Sequence, residues 1–247
     1  MIILQYSLTL LPGLALAAVL FLFLRKAHPL LHLFLFVAVF IFARDAMTSH
    51  SLWSLGNEGF LWMRWINDPI ILLALGFTSV GFVLLMQTIS PQLAELIKWF
   101  EGNKLSGFLN GMAGAVIAVL PVLLIHLSGD VPIENRGGVV PLHVLPFTLF
   151  MSLCGNLYEE ILFRGYFYGW LTQKEGIKPV PAGLLSGVFF SFGHVFLAYT
   201  VTDVGISVLI FALWEGCIAG LVRARFGLAP ATLTHGLCIF LLTWGLL

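Results

Sequence analysis

An all-α, polytopic transmembrane bundle of about eight spans is the architecture this sequence predicts. Mean hydropathy is +1.01 and only 10% of the 247 residues are charged, against about 25% in soluble domains. Several apolar runs reach about 18 residues or more, the length of a membrane-crossing helix. These runs do not alternate apolar with polar, as the roughly ten-residue strands of a membrane barrel do. Twelve basic residues balance twelve acidic ones, so no basic face argues for nucleic acid. Cys154, Cys217 and Cys238 are too few and too scattered for a disulfide framework or a zinc knuckle; they read as small buried hydrophobes.

The apolar runs place helices at about 6–24, 29–47, 69–89, 107–128, 141–172, 180–200, 204–222 and 228–247. The first lacks a positive leader, and its apolar stretch exceeds the 7–15 residues of a signal peptide core, so it reads as a retained helix. The fifth is longer than a straight crossing needs, and a break near Gly155 or Gly165 is cheap. Arg25, Lys26, Lys98, Lys104, Lys174, Lys178, Arg223 and Arg225 fall on one set of loops, and Arg44, Arg64 and Arg136 are left on the opposite side. By the positive-inside rule the first set is cytoplasmic and both termini face away from the cytoplasm. Two linkers read as interfacial. Trp53, Trp62 and Trp65 in 50–68 suit the outer headgroup belt, and Leu93, Leu96, Ile97 and Phe100 in 91–104 are spaced to lie flat on the inner surface; ordinary loops that touch lipid are the alternative for both. Gly107 and Gly111, Gly183 and Gly187, and Gly216 and Gly220 permit close helix approach.

Ionisable side chains in hydrocarbon are costly, about 2.5–3.5 kcal/mol each on insertion scales, and are expected to face a polar interior. Here they gather in the second half: Glu159, Glu160 and Arg164 on the fifth helix, His194 on the sixth, Glu215 on the seventh and His235 on the eighth. In "NLYEEILFRGYFYGWL", Glu160 and Arg164 stand at i and i+4, so they can pair. Glu159 is rotated by about 100° from its neighbour and points into a different space. A carboxyl left in a low-dielectric pocket is a usable base near neutral pH. His194 follows Phe190 by four residues, on the same stripe. One glutamate and two histidines on three neighbouring helices make either a water-activating constellation or a His₂Glu metal site.

Three motifs in order, Glu159-Glu160-x-x-x-Arg164, Phe190-x-x-x-His194 and a late His235, resemble those of the CAAX prenyl protease and bacteriocin-processing (CPBP, or ABI) membrane proteins. Gly165 after the arginine also fits. The resemblance covers about 141–247 and divides the chain into N-terminal helices, 1–106, and a CPBP-like core, 107–247. It implies a glutamate-dependent, metal-free intramembrane endopeptidase without a cofactor. Glu159 and His194 would then activate the attacking water, Glu160 and Arg164 would hold the helix geometry, and His235 would stabilise the oxyanion. The family's last motif carries Asn or Asp four residues after the histidine, where this chain has Ile239. Cys238 is at best a weak donor there, and Asn156, one turn before Glu160, is another group able to reach inward.

The expected activity is hydrolysis of a peptide bond in a peptide precursor or a membrane-anchored protein, within a lipid bilayer, in a bacterial cytoplasmic membrane. Two other readings remain open: a non-catalytic immunity or scaffolding protein with the same fold, which the residue at Ile239 favours, and a proton-coupled transporter, since membrane Glu, Arg and His also mark ion pathways. The sequence sets no oligomeric state.

Overall fold

The computed structural model of the chain describes residues 1–58, 60–129 and 131–245, with Val201 by its backbone alone. It is a helical bundle: α1 (Ile2–Leu24), α2 (Pro29–Ser49), α3 (Pro69–Ile89), α4 (Pro91–Ala94), α5 (Lys104–Ser128), α6 (Leu145–Glu160), α7 (Tyr168–Gln173), α8 (Pro179–Phe192), α9 (Ile206–Phe226) and α10 (Leu228–Thr243). Six helices among the described residues are long and apolar enough to cross a membrane, as expected of a multi-pass integral membrane protein. The expected count of eight also takes in the run through α6 and α7, which a π-helical stretch (Ile161–Phe167) interrupts, and α10, which is shorter. The last two residues assigned to the eighth span lie outside the described residues.

Local chemistry sets the helix ends. Asp68 and Asn103 cap α3 and α5 through their side chains, accepting from Ile70 and Ile71 N–H and from Ser106 N–H. Proline stands in the first turn of α2, α3, α4, α6 and α8, where its missing N–H would lack a partner anyway. The π-helix takes in Gly165, one of the two glycines at which the sequence allows a break, and two of its carbonyls accept from other elements: Phe163 O from Ser186 Oγ (3.1 Å) and Arg164 O from Arg223 Nε (2.9 Å).

The glycine pairs do what their spacing predicts. α8 and α9 approach backbone to backbone: a Cβ on Gly183 would stand 2.5 Å from Gly220 O, and one on Gly187 2.6 Å from Cys217 N. Gly107 and Gly111 receive Pro230 of α10 in the same way, and Thr234 Oγ1 donates to Gly111 O at 3.0 Å.

The linkers differ from expectation. Within the 50–68 linker two strands, β1 (Trp53–Gly56) and β2 (Trp62–Trp65), pair antiparallel as a hairpin, with Trp53 opposite Trp65. Instead of lying at the headgroups, Trp53 and Trp65 are buried and stacked at 5.7 Å. Trp65 Nε1 donates to Ser152 Oγ of α6, and Arg64 donates to Gly138 O and Leu242 O. Side chains that bury against protein outcompete the interface here. Burial and the nearby Arg136 lower the Arg64 pKa to about 10, still well above neutrality. The inner linker also packs inward: Leu93 and Leu96 are buried, Gln173 Nε2 donates to Leu96 O, and Trp99 and Phe100 stay exposed.

Candidate active site

The two glutamates end α6 at the start of the π-helix, and the rotation between them sends their carboxyls to different partners. Glu160 is sealed from solvent. Its Oε1 accepts from Arg164 Nη1 at 2.6 Å and from His235 Nδ1 at 2.9 Å. Arg164, also sealed, donates from Nη2 to Gly216 O at 3.0 Å, and its guanidinium lies 4.3 Å over the Phe190 ring. Glu160 and Arg164 thus tie α6 to α8, α9 and α10, and their pairing is the one the i, i+4 spacing predicts.

Glu159 has a partner that sequence reasoning missed. Arg44, in the last turns of α2, donates from Nη2 to Glu159 Oε1 at 2.5 Å and to Gly155 O at 3.4 Å. The expectation of a carboxyl left without a counter-charge is therefore corrected. The guanidinium is buried, 5.4–5.9 Å from the centroids of Trp53, Trp65 and Phe40, an aromatic surround that suits a weakly hydrated, planar cation. An arginine inside an otherwise apolar run was the available signal; its partner 115 positions away was not.

Glu159 Oε2 faces His194 Nε2 at 3.5 Å. His194 sits just beyond the end of α8, and its Nδ1 lies 2.8 Å from Phe190 O. A carbonyl only accepts, so Nδ1 carries a hydrogen, and in the neutral form of the ring Nε2 is then the acceptor. Two acceptors 3.5 Å apart do not bond each other; a water about 2.8 Å from each, donating one hydrogen to each, satisfies both.

Space for that water exists. Glu159, His194, His235, Asn156, Glu215 and Arg44 all line one cavity of about 60 Å³. A water needs roughly 10–15 Å³ measured this way, so the cavity admits several. The rest of the wall is apolar, and the hairpin contributes Trp53, Leu55, Met63 and Trp65. The structure thus brings Glu159, His194 and His235 to one space, but it bonds His235 to Glu160. Asn156 also lines the cavity while donating to Ser152 O at 2.7 Å. Ile239 lines it with an alkyl chain, and Cys238 is buried.

Glu215, noted in the sequence without a role, is buried, 4.0 Å from Arg164 Nη2, and its oxygens have no hydrogen-bond partner among the described residues. Glu160, Glu215 and His235 bring ligand-type atoms within 4.8 Å of one another. Glu160 Oε1 already accepts from Arg164 and His235, while Glu160 Oε2 has no hydrogen-bond partner among the described residues.

Fold and site together define a multi-pass membrane protein with a Glu–His pair and a second histidine on the wall of one buried cavity. Residues 141–241 match the family model described as type II CAAX prenyl endopeptidase Rce1-like, which supports the CPBP family and points to a protease. No curated protein and no solved structure matches the chain.

Proposed function

We propose that the chain is an intramembrane endopeptidase in which Glu159 and His194 activate a water. The observation that carries this reading is the 3.5 Å approach of Glu159 Oε2 to Nε2 of His194 on a cavity large enough for water. Glu159 takes a proton from that water, and the hydroxide oxygen attacks the peptide carbonyl carbon. As an imidazolium, His235 donates from Nε2 to the developing oxyanion while Glu160 holds its Nδ1–H; one such donor is typically worth about 2.7–4 kcal/mol. When the intermediate collapses, the C–N bond breaks and the proton on Glu159 passes to the leaving amine. Glu160 and Arg164 fix the helices that carry these groups, and Phe190 supports both Arg164 and His194. Asn156 is a polar group on the same wall able to meet the substrate. No metal or cofactor takes part in these steps.

The substrate is a peptide precursor or a membrane-anchored protein. The family match adds one specific candidate, a prenylated peptide with a C-terminal CAAX sequence. The test is to incubate the purified chain in lipid nanodiscs with two internally quenched peptides, one S-farnesylated with a CAAX end and one unmodified and apolar. Products are read by mass spectrometry. Cleavage of either by the wild type, lost in Glu159→Ala, supports the reading; cleavage retained in Glu159→Ala ends it. Ile239, which puts no donor beside His235, favours a non-catalytic immunity or scaffolding protein as the second reading. In that case Glu159→Ala leaves the cellular phenotype unchanged.

A further inference from the structure

We infer that Arg44 is a positioning residue of the active site: it holds the Glu159 carboxylate in the one orientation that presents Oε2 to His194 and to water. The inference rests on the endopeptidase reading. Arg44 lies outside the family-matched residues 141–241, and no sequence motif assigns it a role.

Three features argue for positioning rather than simple charge neutralisation. First, the contact is one-sided. Nη2 takes Oε1 alone at 2.5 Å, whereas a guanidinium commonly engages both carboxylate oxygens side by side. Oε2 is thereby left for His194 at 3.5 Å. Second, the same nitrogen also reaches Gly155 O at 3.4 Å. Gly155 precedes Glu159 by one helical turn, so the guanidinium bridges backbone and carboxylate and restricts the Glu159 rotamer. Third, the guanidinium is itself held. Nη1 lies 3.5 Å from Met47 Sδ, and the Phe40, Trp53 and Trp65 rings surround it. The hairpin missing from the sequence expectation thus acquires a purpose: its two stacked tryptophans help set the arginine that sets the base. The N-terminal helices then complete the catalytic centre as well as adding spans.

The test uses the full chain in nanodiscs and whichever of the two quenched peptides is cut. Arg44→Ala is expected to lower kcat about 10²-fold, the cost of losing near-ångström placement of a reacting group, with KM changed by no more than about threefold. Added methylguanidinium is expected to restore at least about tenfold of that loss, and sodium chloride at equal ionic strength to restore none, because only the former replaces a directional fork. Arg44→Lys keeps the charge without the fork; it is expected to melt with the wild type and to lose about tenfold in kcat. If Arg44→Ala does not fold, Arg44→Lys alone decides. Wild-type kcat in either foldable variant overturns the inference, and so does a loss that methylguanidinium does not reverse. Retained cleavage in Glu159→Ala, or no cleavage of either peptide by the wild type, instead defeats the endopeptidase reading and this role with it.

Discussion

Glu159 and Glu160 are consecutive residues with the same side chain, yet one stands on a cavity wall and the other inside a sealed knot. Glu160 is fully enclosed, its Oε1 shared between Arg164 and His235, and Arg164 in turn reaches α8 and α9. Glu159 shares one oxygen with Arg44 and turns the other toward His194 and open space. The difference teaches that helical rotation alone can divide a carboxyl pair into a structural member and a chemical one. A sealed ion pair has no room for a reacting molecule, and a carboxylate with one oxygen turned to a cavity does.

That contrast can be broken most sharply at Glu159. Glu159→Gln keeps shape and a hydrogen-bond acceptor for Arg44 but loses the base; peptide cleavage should fall about 10²–10⁴-fold, and because the buried Arg44 guanidinium loses its counter-charge, the melting point should fall too, by no more than the cost of breaking a buried pair, about 3–5 kcal/mol. On the sealed side stability is the main readout. Arg164→Ala leaves Glu160 buried without its guanidinium and should cost about 3–5 kcal/mol of stability, read as a lower melting point and aggregation on size exclusion. Loss of activity by Arg164→Ala with undiminished stability would erase the distinction between the two carboxylates. A smaller effect tests whether the sealed side depends on close α8–α9 approach. Gly183→Ala places a methyl 2.5 Å from Gly220 O, and the displaced helices should lose about 1–3 kcal/mol. At the surface, Lys98 forms a loose 3.6 Å pair with Glu101; Lys98→Ala should change stability by no more than about 1 kcal/mol, which sets the baseline for the other three.

Much of the sealed side was legible in the sequence and much of the cavity side was not. The Glu160–Arg164 pair, the glycine pairs of α8 and α9 and most helix limits follow from spacings within one or two turns. The Arg44 contact does not, because nothing within a turn of either residue marks it. The hairpin was missed for a related reason. A tryptophan-rich linker in a membrane protein reads as an interfacial anchor, and only the packing of Trp65 against Ser152 shows that these rings find a better apolar surface inside. His235 lines the cavity, but its bond to Glu160 rather than Glu159 depends on how α10 is set against α6.

By itself, the sequence determined the solvent, the helical class, the i, i+4 ion pair and which helices can touch closely, since composition and short-range periodicity act over a few ångströms of chain. Tertiary structure decided which charge meets Glu159, what closes the cavity and which imidazole faces which carboxylate. Those are choices among partners distant in sequence, and burial in a low-dielectric bundle, where an unpaired charge is costly, makes them.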